Sequence, residues 1–196
     1  MKSIYNEMKN FEKISFKIKN HKLSTHNIKI QYVVDYKPKK HFQEDDRDKW
    51  SKSILGVKNK DLESIEIWAK IISAIIKKDT SFIIVCVPPS KANKISGIKK
   101  IVQQVGREKN MTIGEDLLFR SQSVQKQHEK RKSINEIKNT IKFNLNSEKI
   151  ILNKHILLLD DIISTGNTIL ACSQILLSKG AKKVTALLLG STLKVY

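Results

Sequence analysis

Little in this chain belongs to the residue types that mark special protein classes. Cysteine occurs twice in 196 residues, as Cys86 and Cys172, far apart and each inside an apolar run. With no CxxC pair, a zinc ribbon cannot be built from cysteine, and the two thiols read as buried and reduced. Aromatic residues make up 6% of the chain, too few for the stacking stripe on which single-stranded nucleic acid is held. No apolar run is long enough to span a membrane, and residues 1–20 alternate charge with single apolar residues where a signal peptide would be continuously apolar. The expectation is a soluble, cytoplasmic protein with no membrane partner. Arginine is scarce as well: Arg47, Arg107, Arg120 and Arg131 are all there is.

Lysine, by contrast, is abundant. The formal net charge is +18, and the basic excess is almost all lysine. Such a balance admits a nucleic-acid or phosphate partner. Base-edge and bidentate phosphate readers favour arginine, however, and abundant Lys, Ile and Asn also follow from an A/T-rich genome. Diffuse solvated lysine is the preferred reading. Hydrophobic residues at 40% suffice for a sizeable core, and the length fits one domain with an appendage.

Residues 1–49 resist clean assignment. A strand is expected over residues 28–34, ended by Pro38, and another short one near residues 11–18. Residues 37–49, with Glu44, Asp45 and Asp46 among basic neighbours, read as a solvated loop, and His21, His26 and His41 as surface histidines. Leu62, Ile65, Trp68, Ile72 and Ile75 recur at helical steps and predict an amphipathic helix over residues 61–78, with Trp68 in the core. The run Phe82, Ile83, Ile84, Val85, Cys86, Val87 predicts a strand covered on both faces. It ends in Pro88, Pro89, Ser90 and Lys91, and a helix is expected over residues 95–107, so the turn between them lies at the usual ligand edge of such a sheet. Residues 119–143 are largely polar and basic, and a mobile active-site loop is weighed there against a solvated helix face. A strand over residues 149–159, a helix over 168–179 stopped by Gly180, and a strand over 184–189 complete the alternation. Right-handed crossovers then give an α/β fold, a parallel twisted sheet flanked by helices, over residues 50–196, with residues 1–49 as a small β-containing appendage or hood.

The chain is organised around residues 156–168, where apolar Ile156 to Leu159 meet Asp160 and Asp161 and then a small-residue turn. Adjacent carboxylates repel, so holding both ionised requires donors or a cation. Ribose hydroxyls are donors, and Mg²⁺ on a pyrophosphate supplies charge. Ser164, Thr165, Gly166, Asn167 and Thr168 offer hydroxyls and backbone N–H groups at a helix N-terminus, where a phosphate is well placed. Carboxylates for ribose beside amides for phosphate point to a ribose 5-phosphate moiety. The plain alternative, a cap cluster for the following helix, accounts for neither the buried strand nor the hydroxyl-rich turn.

The stretch resembles the phosphoribosyl-diphosphate signature of type I phosphoribosyltransferases. Pro88, Pro89, Ser90 and Lys91 resemble the pyrophosphate loop of that family. Gln127 and His128, with Phe143 beyond them, and the helix after Gly56, Val57 and Lys58 are similar to the competence-type, ComF-like (also GntX-like) subgroup. The similarity covers about residues 50–192. Two departures stand out: the subgroup's usual N-terminal zinc ribbon is missing, and Ser164 stands where purine-salvage members carry an aspartate, which argues against hypoxanthine-guanine salvage.

The resemblance implies that Asp160 and Asp161 hold the ribose 2′- and 3′-hydroxyls, touching Mg²⁺ only indirectly through ribose and pyrophosphate. Ser164, Thr165, Gly166, Asn167 and Thr168 would cradle the 5′-phosphate, and Pro89, Ser90 and Lys91 would face the pyrophosphate. Arg120, His128 and Arg131, on the basic segment, would close over the site, His128 being read either as a proton donor or as an ordinary surface histidine. Phosphoribosyl diphosphate is the implied substrate, with transfer to a nitrogenous base or amine and release of pyrophosphate. A regulatory protein that binds the diphosphate without transfer, or one associated with DNA uptake or DNA processing as the resemblance suggests, is the competing class; single-stranded DNA contact is compatible with the +18 charge, and a homodimer is left open.

Overall fold

Apolar strands and amphipathic helices alternate along the chain, and they fold as a mostly parallel sheet between two helical layers. The structure is a computed structural model that describes residues 18–38, 48–76, 82–90, 95–121 and 133–192. In chain order the elements are β1 (Lys19–Asn20), β2 (Ile28–Tyr36), α1 (Lys49–Asn59), α2 (Leu62–Ile75), β3 (Phe82–Cys86), α3 (Gly97–Lys109), β4 (Thr112–Ile113) and β5 (Leu118–Arg120). They continue with α4 (Ile134–Thr140), β6 (Ile141–Phe143), the short turn α5 (Glu148–Ile151), β7 (His155–Ile163), α6 (Asn167–Ser178) and β8 (Lys183–Thr192). The sheet order is β1-β2-β8-β7-β3-β4. Only β1 runs antiparallel to its neighbour; the other pairs are parallel. This is the α/β architecture expected. The N-terminal β segment is continuous with it, because β2 pairs with β8 from Ile28↔Val184 to Tyr36↔Thr192.

The centre of the sheet is β7. Ile156 and Leu158 face one apolar cluster, with Ile30, Val85, Ile169, Cys172 and Leu188. Leu157 and Leu159 face the other, with Ile54, Trp68, Ile84, Ile101 and Leu187. None of the four is more than 5% exposed, as the unbroken apolar run requires of a strand covered on both faces. Trp68 is fully buried and its indole Nε1 donates to Ser53 Oγ at 3.0 Å, so it is core, as expected. No described helix is long and apolar enough to cross a membrane.

Several boundaries differ from the sequence reading, each for a local reason. Helix α1 is an addition to it; Asp48 starts the helix, its carboxylate accepting from Ser51 N at 2.9 Å, and Ile54 and Val57 bury the inner face. Residues 149–159 are not one strand: α5 turns first, Asn153 takes a left-handed φ of 58°, and β7 opens only at His155. Nor is the stretch 119–143 an open loop at its ends. Phe119 pairs with Lys142 in an antiparallel ribbon of β5 and β6. Ser133 and Glu136 form a reciprocal capping box that starts α4, whose Ile134 and Ile137 pack on the core. His21 is half-buried, its ring edge-on to Tyr32 and its Nδ1 accepting from Leu23 N at 3.2 Å. The strand expected near residues 11–18, the cluster Glu44, Asp45 and Asp46, His41, Lys91, Gln127, His128 and Arg131 lie outside the described residues, apart from Ile18, which is in no strand.

Leu158→Ala is expected to lower unfolding stability by about 2–5 kcal/mol, because it leaves a cavity in a strand closed on both sides. Urea unfolding checks it.

Candidate functional site

The parallel strands deliver their C-terminal ends to one edge, and a cavity of about 440 Å³ opens there. Val87 N donates to Leu159 O at 2.9 Å, which ties the end of β3 to β7 just before the carboxylates. Pro88, Pro89 and Ser90 therefore line the cavity together with Asp160, Asp161, Thr168 and Arg120. Asp160 and Asp161 belong to β7 and cap no helix: Asp160 Oδ1 accepts from Asp161 N at 2.9 Å, and Asp161 Oδ1 from Ile162 N at 2.7 Å.

The two carboxyls stay within reach of each other, and Lys58 acts on Asp160 as well as on Asp161. Asp161 Oδ2 lies 4.0 Å from Lys58 Nζ, at the end of α1. Asp160 feels Arg120, from β5, and the buried Cys172, from α6. Burial first, and then the charge of Asp161, hold the Asp160 carboxyl well above its ordinary value of 3.8. Arg120 donates through Nη1 to Thr140 Oγ1, while its Nε is buried and makes no hydrogen bond among the described residues. Burial also draws its guanidinium below its usual value, against the pull of Asp160. Both thiols are free, and desolvation pushes Cys86 up to about 11 and Cys172 further in the same direction, which disfavours the thiolate.

Beyond β7 the chain turns into α6 at Gly166, in the left-handed region with φ of 81°. A side chain there would be strained, and its Cβ would meet Leu23 Cδ1 at 2.4 Å, so the turn is backed by the N-terminal segment. No side chain caps α6, whereas Asp48, Asp61, Ser96 and Ser133 cap α1 to α4. Asn167 N donates to Thr165 Oγ1 at 3.5 Å, and the first turn of α6 presents the positive end of the helix dipole.

Of the residues named from sequence, Asp160, Asp161, Arg120, Pro89, Ser90 and Thr168 share the cavity. Ser164, Thr165, Gly166 and Asn167 are not among the residues that line it: Ser164 and Thr165 are exposed, Asn167 is half-buried and Gly166 is buried in the turn. Lys91 and His128 lie outside the described residues. Sequence reasoning missed Val57, Lys58 and Lys60 from the α1–α2 junction and Ser96, Gly97 and Ile98 from the start of α3. These surfaces meet because a Cβ on Gly97 would stand 2.1 Å from Val57 O. The one available signal was Gly56, Val57 and Lys58, which marked only the approach to a helix.

Among the described residues no cluster of three metal-ligating side chains exists. An Mg²⁺ here would need most of its oxygens from a ligand, which suits the one remaining oxygen on each of Asp160 and Asp161.

The phosphoribosyl transferase domain model matches residues 62–190. The chain belongs to that family. A search of curated proteins gives no match. Among solved structures, adenine phosphoribosyltransferase from Leishmania tarentolae is 13% identical, with 88% of this chain and 94% of that one covered and a TM-score of 0.45. Hypoxanthine-guanine phosphoribosyl transferase from L. donovani is 12% identical over 71% of each chain, TM-score 0.37. Phosphoribosylpyrophosphate synthetase from Mycobacterium smegmatis is 14% identical over 79% of this chain and 51% of that one, TM-score 0.39.

The raised Asp160 value has a consequence for stability. The folded chain binds this proton more tightly than the unfolded chain, so the stability it contributes is full below 3.8 and fades as pH rises through the elevated value. Asp160→Asn is therefore expected to raise the melting temperature of the unliganded protein at neutral pH, with the gain shrinking toward acid. Thermal melts across pH check it; a lower melting temperature at neutral pH would contradict it.

Proposed function

We propose that this protein binds 5-phosphoribosyl 1-diphosphate with Mg²⁺ and transfers the phosphoribosyl group to a nitrogen nucleophile, releasing pyrophosphate. The observation that carries the reading is the shared cavity: a carboxylate pair, an uncapped helix start and a proline-serine turn converge on one sheet edge. The family membership agrees with it.

In this reading the free oxygens of Asp160 and Asp161 accept the ribose hydroxyl protons, fixing the sugar ring. The α6 amides and Thr168 take the 5′-phosphate. Ser90 and the turn before it face the diphosphate, and the unpaired Nε of Arg120 supplies a donor to an anionic oxygen. The C1′–O bond to the diphosphate breaks as the C1′–N bond forms; the electron pair leaves with pyrophosphate, and the nucleophile's surplus proton goes to solvent or to the leaving group. Mg²⁺, held through ligand oxygens near Asp160 and Asp161, would neutralise charge on the leaving pyrophosphate. The ribbon of β5 and β6 brings Arg120 into the cavity lining, and closure of the basic segment over the site would exclude water and favour transfer over hydrolysis. The competence-type assignment stays part of the proposal, since its Gln127 and His128 lie outside the described residues.

Incubation with phosphoribosyl diphosphate, Mg²⁺ and a panel of bases is expected to release pyrophosphate with at least one acceptor, hypoxanthine and guanine excepted on account of Ser164. Diphosphate binding without release across the whole panel would favour the regulatory class. Asp160→Asn combined with Asp161→Asn is expected to abolish ligand-dependent thermal stabilisation; an unchanged shift would place the site elsewhere.

A further inference from the structure

Lys58 belongs neither to the acidic strand end nor to the proline turn, yet it lines the cavity with both. We infer that Lys58 is a diphosphate-binding residue: its ammonium stands as a counter-charge to Asp161 and turns to the diphosphate when ligand enters. The inference rests on the substrate reading above and adds a residue to it.

The backbone at Lys58 is fixed from three sides. It occupies the last turn of α1, which Lys60 closes in the left-handed region with its N–H on the Val57 and Gly56 carbonyls. Asp61 follows at once as the cap of α2, its carboxylate accepting from Ser64 N at 2.8 Å. On the far side Val57 O abuts Gly97 at the start of α3. Lys58 is thereby adjacent to both halves of the site. Its Nζ reaches toward Asp161, and its chain neighbour touches the helix that leaves the proline turn.

The contact with Asp161 is loose. At 4.0 Å it is an ion pair without a hydrogen bond, and the Lys58 side chain is 59% exposed. A helix C-terminus alone favours a lysine at this position. It does not require the ammonium to lie in the cavity beside a carboxylate that has one oxygen already committed to Ile162 N. A diphosphate approaching two adjacent carboxylates meets like-charge repulsion. A cation beside Asp161 that is free to reorient relieves that repulsion, and the diphosphate offers it more charge than the carboxylate does.

The test uses the full chain and its Lys58→Gln and Lys58→Arg variants, with affinities for phosphoribosyl diphosphate and for ribose 5-phosphate measured calorimetrically in Mg²⁺. Lys58→Gln is expected to weaken diphosphate binding by about 10- to 100-fold, the range of one charge-assisted hydrogen bond, and to change ribose 5-phosphate binding little. Lys58→Arg is expected to recover most of the loss. The exposed side chain makes an unchanged unliganded melting temperature the expected control. Equal losses for both ligands, or none for the diphosphate, would overturn the inference. Failure of the wild-type protein to bind either ligand would instead overturn the substrate reading, and it would show before any variant is compared.

Discussion

The site depends on a strand that is apolar on both faces and then ends in acid. Four consecutive residues of β7 are sealed between two helical layers, so Asp160 and Asp161 cannot retreat into solvent or into the core. They are held at the sheet edge. Burial and mutual repulsion raise the cost of keeping both charged, as the elevated Asp160 value records. A site built this way favours a ligand that brings hydroxyl donors and counter-charge together.

The neighbouring elements answer to the same constraint. Arg120 comes from a small ribbon outside the main sheet and feels Asp160, and Lys58 comes from the end of α1 and acts on both carboxylates. Neither cation is fully engaged: one Arg120 nitrogen lacks a hydrogen bond among the described residues, and Lys58 stands off at 4.0 Å. The N-terminal segment contributes from behind, where Leu23 packs against the Gly166 turn. Residues that match no signature thus back the turn that opens α6.

The central strands were legible in the sequence because an unbroken apolar run of strand length, bounded by turn residues, needs cover on both faces. The acid pair was legible because two carboxylates directly after such a run are conspicuous. The helix at residues 49–59 was hidden: its apolar residues Trp50, Ile54 and Val57 are spaced correctly, but lysines and serines dilute them. Helix α4 was hidden for the same reason, although Ser133 and Glu136 form a legible capping box. Lys58 and Gly97 could not have been paired from sequence, since their proximity arises only when α1 and α3 pack together on one face of the sheet. Spacing along the chain reports which residues share an element; which elements share an edge is a property of the topology.

In the proposed function one cavity holds both halves of a sugar diphosphate. Competition calorimetry tests it directly, with phosphoribosyl diphosphate titrated into protein alone, into protein with ribose 5-phosphate, and into protein with pyrophosphate, all in Mg²⁺. The diphosphate is expected to bind more tightly than either fragment, and each fragment to displace it. Fragments that bind without competing, or a diphosphate no tighter than its parts, would contradict the proposed function.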